Sequence, residues 1–209
     1  MINAGVLTFR EFVMRESLPL ANLHQAVLEF LHGRDDAVLF GAQAVNAYVS
    51  EPRMSQDIDL LSPRAAELAE ELRNYLSKRF HIAVRVREIG EGRGYRLFQA
   101  RKSGNRHLVD LRPVAKLPAA KRIDKILVMA PEELIASKVI AYHQRRGKPK
   151  SGTDWRDLAM LLLAFPDLKQ GEGAVADRLL ATGVDPSVLQ VWKDLAAQQI
   201  QAPDEDDEF

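Results

Sequence analysis

Cysteine is absent from all 209 residues, which excludes disulfide bonds and thiolate metal centres. Net charge is absent too, because 29 Lys and Arg offset 29 Asp and Glu. No apolar run approaches the roughly 18 residues needed to cross a bilayer. The first dozen residues also lack the cationic start and apolar segment of a secretory signal. A soluble, cytoplasmic protein with no membrane partner is therefore expected. The five histidines show no metal-ligand spacing of the HExxH kind. Ser50, Ser55 and Ser103 lack the strand–turn–helix context of a hydrolase nucleophile. Gly90-Glu91-Gly92-Arg93-Gly94 has the look of a nucleotide loop but separates two strand-like runs, so it reads as a hairpin turn.

The zero net charge conceals an uneven distribution. Residues 78–156 hold 20 Lys and Arg against 7 Asp and Glu, and residues 202–209 form a short acidic tail. Such a split fits a basic face for phosphates or RNA, and equally fits solvated strand and loop positions. Hydrophobic periodicity predicts an amphipathic helix over residues 18–31, with Leu20, Leu23, Val27, Leu28 and Leu31 on one side. A buried strand over residues 37–40 and a helix over 42–48 follow. A strand over 57–61 comes next, and then a helix from Ser62-Pro63 to about Phe80. The period then becomes two, in runs near residues 82–87, 95–100 and 107–111, which predicts a β-meander. From Pro131 onward the pattern is helical: residues 131–142, 154–165, 174–180 and 186–198. The fold class expected is α+β, a mixed β-sheet flanked by helices and followed by a C-terminal helical region. The division expected places residues 1–125 in one domain and 126–209 in a second.

Asp57-Ile58-Asp59 carries the chemistry. On a strand, residues two apart share a face, about 6.6 Å apart along the backbone. Two carboxylates that close are costly unless a cation lies between them, and Mg²⁺ suits oxygen ligands that leave room for substrate phosphates. Asp110, within His107-Leu108-Val109-Asp110-Leu111, lies on another strand and adds a third carboxylate as metal ligand or base. Taken singly, each has a plainer reading, as solvent-facing strand acids or as the partner of Arg106 or Arg112. Upstream, Gly41-Ala42 turns a strand end into a helix and exposes backbone N–H groups to an anion. Arg53 is placed to meet a triphosphate oxygen, and Ser55 to brace the loop. Both also read as ordinary surface or turn residues.

In this order, Gly41-Ala42-x-Ala44, Arg53-x-Ser55-x-Asp57-Ile58-Asp59-Leu60 and Val109-Asp110-Leu111 resemble the nucleotidyltransferase superfamily with the DNA polymerase β-type fold. The Arg-x-Ser between turn and acids is similar to the AbiEii-type, toxin-related branch. The resemblance covers about residues 37–112 and extends weakly to Asp157. It implies Mg²⁺-dependent (or Mn²⁺-dependent) transfer of a nucleoside monophosphate from ATP or another NTP to an acceptor. The acceptor stays open among RNA such as tRNA, a protein and a small molecule. A role as the toxin of a toxin–antitoxin system, with a cognate antitoxin as partner, is implied as well. The site implied has Asp57, Asp59 and Asp110 on the metal, with Gly41, Ala42, Arg53, Ser55 and Lys138 on the nucleotide. Lys138, in Glu133-Leu134-Ile135-Ala136-Ser137-Lys138, would place a point charge on the triphosphate. Asp157, in Asp154-Trp155-Arg156-Asp157-Leu158, completes the catalytic set. The family mostly has Gly or Ser where Ala42 stands, and a lysine at Thr153. The alternative expectation is a catalytically inactive module of the same fold that holds RNA or a partner protein.

Overall fold

The computed structural model describes residues 18–201, and the readings made on the opening residues and the acidic tail lie outside them. Within that span the chain forms two compact units: residues 18–47 with Pro52–Met129, and Tyr48–Glu51 with residues 130–201. None of the helices among the described residues is long and apolar enough to cross a membrane.

The first unit runs α1 (Leu20–Phe30), β1 (Val38–Phe40), α2 (Gly41–Asn46), β2 (Ile58–Ser62) and α3 (Ala65–Phe80). It continues with β3 (Val84–Ile89), β4 (Gly94–Gln99), β5 (Arg106–Pro113), β6 (Ala120–Ile123) and β7 (Ile126–Met129). The strands make one mixed seven-stranded sheet in the order β3-β4-β5-β2-β1-β7-β6. β5 lies parallel to β2, and β7 parallel to β1, while the other neighbours are antiparallel. Strand alternation makes one face apolar: Leu97 pairs with Val109, Val109 with Ile58, and Leu60 with Leu111, all 1% exposed or less. α3 covers that face through Leu68, Leu72 and Leu76, which recur at helical spacing and are fully buried. Each such leucine contributes about 1.5–3 kcal/mol of burial. The helix stops where His81 takes the left-handed conformation, φ 53°, with Lys78 and Arg79 complementing the dipole in its last turn. The opposite face of the sheet carries the polar rows described below.

The expected α+β class, the helices flanking the sheet and the β-meander are all present. The hairpin β6–β7 is an addition. Its two-residue turn, Asp124-Lys125, holds both residues at positive φ without a glycine, so the usual turn signal is missing. Two of the boundary shifts bear on the site: β2 begins at Ile58, leaving Asp57 in the bend before it, and the helix expected from residue 154 begins at Lys150.

The second unit contains α4 (Pro131–Gln144), α5 (Lys150–Ala164), a 3₁₀ turn (Pro166–Leu168), α6 (Ala174–Ala181) and α7 (Pro186–Ala197). Trp192 is completely buried, in company with Leu134, Ile135, Leu158, Leu161 and Leu179 among the largest apolar side chains of this unit. Proline at the first position pre-sets φ at the start of both α4 and α7. Asp185 caps α7 by accepting a 2.8 Å hydrogen bond from the Ser187 amide.

Candidate active site

The polar face of the sheet carries a row of charged residues fixed by strand register. Asp59 on β2 pairs with Asp110 on β5, Asp110 with Arg96 on β4, and Arg96 with Arg87 on β3. Two carboxylates and two guanidinium groups thus line up across four adjacent strands. Arg96 forms a two-pronged ion pair with Asp110, its Nε 2.8 Å from Oδ1 and its Nη2 3.0 Å from Oδ2.

One irregularity brings a further residue to this row. In β5, Val109 pairs with Leu97 but His107 pairs with the very next residue, Phe98, so Leu108 is an inserted residue, a β-bulge. Leu108 and Val109 both enter the core, fully buried. Without the bulge, residues 107 and 110 would point to opposite faces. With it, His107 shares the face of Asp110. Its Nε2 lies 3.0 Å from Asp110 Oδ1 and its Nδ1 3.2 Å from Asp57 Oδ2. One ligand atom each from Asp57, His107 and Asp110 fall within 4.8 Å of one another. Burial alone would raise the Asp110 carboxyl, but hydrogen bonds from His107 and Arg96 outweigh it and hold the group well below the usual carboxylate range.

Asp59 points elsewhere along the row. Gly41 sits at the end of β1, across from it, with φ +70°, and a Cβ placed on Gly41 would lie 2.1 Å from Asp59 Oδ2. Gly41 is therefore required twice, once for its backbone conformation and once for the space the carboxylate occupies. Behind it, α2 ends at Asn46, whose amide holds the backbone of Arg53 from both sides: Nδ2 donates to the Arg53 carbonyl at 2.7 Å and Oδ1 accepts from its N–H at 3.0 Å. This clamp sets the direction of the chain that returns to the acids. Arg53 Nη1 donates to the Met54 carbonyl at 3.2 Å. Ser55 Oγ donates to the Asp57 carbonyl at 2.8 Å, which fixes the bend carrying that carboxylate.

Beside the acids, over β3, β4 and β5, lies a cavity of about 510 Å³ lined in part by Arg87, Arg96, Phe98, Asn105 and His107. His107 and Arg96 form its boundary with Asp57 and Asp110. The charged side chains of its lining are Arg87 and Arg96 against Glu88, with Phe98 contributing an aromatic ring.

Lys138 and Asp157, the remaining residues singled out in the sequence, belong to the helical unit and meet there. Lys138 Nζ is 2.6 Å from Asp157 Oδ2 and 3.8 Å from Asp154 Oδ1, and Asp157 is fully buried. Arg145 Nη1 closes the network on both oxygens of Asp154, at 2.8 and 3.0 Å. Within this unit the four charges tie α4 to α5.

Sequence reasoning put Gly41, Ser55, Asp57, Asp59 and Asp110 in one unit, and the fold gathers them at the polar face of β2 and β5. It passed over His107, Arg96 and Asn46. The signal for His107 was present: Leu108-Val109 places two apolar residues together inside an otherwise alternating strand, which marks a bulge.

An α+β unit with a mixed sheet and acids on adjacent parallel strands defines a protein of nucleotidyltransferase fold. Two solved structures share it. A Megavirus polyadenylate synthase superposes with a TM-score of 0.57 at 12% identity, over 76% of this chain and 36% of its own. JHP933 from Helicobacter pylori superposes with a TM-score of 0.58 at 14% identity, over 91% of this chain and 92% of its own. This chain spans about a third of the viral enzyme and nearly all of the bacterial protein. No curated protein sequence matches it. The profile of the nucleotidyl transferase AbiEii toxin family, a type IV toxin–antitoxin system family, matches residues 25–207, and the chain belongs to that family.

Proposed function

We propose that this nucleotidyltransferase transfers a nucleoside monophosphate from an NTP to an RNA acceptor, with Asp57, Asp59 and Asp110 as its divalent-metal ligands. The observation that carries the reading is the convergence of Asp57 and Asp110 on the polar face, with Asp59 paired to Asp110 across the strands and with His107 and Arg96, which contact the acids, also lining the neighbouring cavity. The donor set fits a divalent cation, because anionic oxygens gathered this closely repel one another unless positive charge lies among them. When bound, Mg²⁺ or Mn²⁺ would neutralise triphosphate charge and favour ionisation of the acceptor hydroxyl.

The protein's own part is positioning and electrostatics. Ser55 and Asn46 hold the loop so that Asp57 faces Asp110, and Gly41 leaves room for the Asp59 carboxylate. The Gly41–Ala42 amides and Arg53 are the groups we assign to the triphosphate. His107 and Arg96 keep Asp110 ionised, which suits it to bind positive charge and makes it a weak proton acceptor. Overall, an acceptor oxygen joins the α-phosphorus, the bond to pyrophosphate breaks, and one proton is released. The basic residues of β3–β5 favour a polyanionic acceptor, with Phe98 offering a face on which a base can stack. Lys138 and Asp157 act by holding α4 against α5 in the helical unit. Family membership supports a toxin role balanced by a cognate antitoxin.

The test is transfer from α-³²P-labelled NTPs to total RNA, cell protein or aminoglycosides. Asp57→Ala is expected to abolish labelling of RNA while leaving the circular dichroism spectrum unchanged. Undiminished labelling by that variant removes the assignment, and labelling of protein or aminoglycoside in place of RNA removes the acceptor.

A further inference from the structure

Resting on the transfer to RNA proposed for this site, we propose that the cavity over β3–β5 is the acceptor subsite, and that it takes an unpaired nucleobase of the RNA stacked on Phe98. Strand order sets the geometry. Across the sheet come the Gly41 turn at the end of β1, Asp59 on β2, Asp110 on β5, and then Phe98 on β4 and Arg87 on β3. Displacement at phosphorus sets the attacking and leaving oxygens roughly in line. With the triphosphate at the Gly41–Ala42 amides, pyrophosphate departs on the β1 side of the acids, so the attacking hydroxyl arrives from the β5 side. The cavity lies on that side, and His107 and Arg96 belong both to its lining and to the contacts of Asp110.

Strand register makes Phe98 a platform there. Leu97 is buried in the face that α3 covers, so its neighbour Phe98 stands on the opposite, polar face. Phe98 is half-buried, and its cross-strand neighbours are Arg85 on β3 and His107 on β5. A half-exposed phenylalanine alone is ordinary. Set between an arginine and an imidazole, in a cavity of about 510 Å³, it offers an aromatic plane with polar groups on both flanks, in a volume of small-ligand size. Asn105, whose amide has both donors and an acceptor, lines the same cavity and suits a base edge. Arg96 is committed to Asp110, which leaves Arg87, with Arg85 two residues before it on the same face of β3, to meet phosphates.

The spacing ties this platform to the chemistry. Asp110 faces Arg96, and Phe98 stands two residues further along β4, so its Cα is about 8 Å from that of Asp110. A base seated on Phe98 therefore belongs to the nucleotide bearing the reacting hydroxyl or to its neighbour. Inside a duplex both faces of a base are covered by stacked neighbours, so the acceptor must present an unpaired one.

Anisotropy titrations of the full chain, without metal or NTP, use a short fluorescein-labelled single-stranded RNA of mixed sequence and the same strand in a duplex. Wild type should bind the single strand at least about tenfold more tightly than the duplex. Phe98→Leu keeps most of the apolar volume but not the ring, and should weaken the single strand by about tenfold, whereas Phe98→Tyr should stay within about twofold of wild type. Arg87→Ala should reduce the slope of log K against log salt by about 0.7. In turnover, Phe98→Leu should raise the KM for RNA by about tenfold and leave the KM for NTP within about twofold, a division that a merely structural role would not give. Equal affinity for strand and duplex, or unchanged single-strand affinity in Phe98→Leu, overturns the proposal, and so does a KM for NTP that rises in step with that for RNA. Wild type that labels RNA while giving those results keeps the reaction and loses the platform. Single-strand binding that depends on Phe98, with no labelling of any acceptor, refutes the reaction and leaves the platform standing.

Discussion

Gly41→Ala is the substitution whose consequences the structure sets most tightly. The added methyl group meets two separate obstacles. Alanine at φ +70° occupies the left-handed region, which costs about 1–2 kcal/mol for a residue with a Cβ. The same Cβ lies 2.1 Å from Asp59 Oδ2, where ordinary contact begins at 3.4 Å, so the carboxylate must retreat by more than 1 Å. Pushing it off its rotamer adds about 0.5–1.5 kcal/mol. Gly41→Ala should therefore destabilise by about 2–3 kcal/mol in wild type, but by only about 1–2 kcal/mol where Asp59→Ala has removed the two nearest atoms, Oδ2 and Cγ, and left the Cβ at 3.0 Å.

Guanidinium unfolding of the four proteins (wild type, each single variant and the double) measures this difference as a coupling of about 1 kcal/mol. Activity should fall more steeply than stability. A displacement of about 1 Å at a reacting centre costs on the order of 100-fold, so Gly41→Ala should lose that much nucleotidyl transfer while remaining folded at 25 °C. An equal stability cost in both backgrounds, to within about 0.5 kcal/mol, would show that the Asp59 carboxylate does not occupy that space, and the reasoning would be refuted.

Two further outcomes follow from the charged groups. Lys138→Ala removes the ammonium group 2.6 Å from the buried Asp157 carboxylate and should cost about 3–5 kcal/mol, whereas Lys138→Met combined with Asp157→Leu should be within about 1 kcal/mol of wild-type stability or more stable. Calorimetry of the full chain decides, and a double variant as unstable as the single one would count against a chiefly structural pair. The Asp110 carboxyl, opposed by burial but held low by His107 and Arg96, binds its proton less readily folded than unfolded, where its pKa is about 3.9. Its stabilisation is therefore complete above about pH 5 and is lost as pH falls toward the depressed folded value. Asp110→Asn should flatten the acid limb of the stability–pH curve below about pH 5, and a limb as steep as that of wild type would contradict the assignment.

Most of the fold was legible because it obeys local rules. The residues of α3 repeat at helical spacing, β3 and β4 alternate cleanly, and glycines mark the hairpin between them. The β6–β7 hairpin was not legible, for two physical reasons. β7 is buried through Ile126, Val128 and Met129 and so reads as a plain apolar run, while Asp124-Lys125 takes a turn conformation that sequence favours only weakly without glycine. The start of α5 at Lys150 was hidden in the same way. Its first turn contains Ser151 and Gly152, residues that read as loop until the burial of Asp154 and Asp157 shows which face turns inward.

The site was legible where function and local geometry coincide. Asp57 and Asp59 stand two apart near a strand start, and Gly41 ends a strand, so each announces itself. Asp110 had to be matched to them across about fifty residues of chain, and parallel pairing of β2 with β5 is what sets it beside Asp59. His107 escaped because the count from it to Asp110 is three, which in a regular strand separates the two faces. Two buried apolar residues in succession, Leu108 and Val109, reverse that conclusion. The alternation rule that identifies strands thus fails here for the reason that gives the site its imidazole. A histidine dismissed for lacking metal-ligand spacing comes, through one inserted residue, to lie between the Asp57 and Asp110 carboxylates.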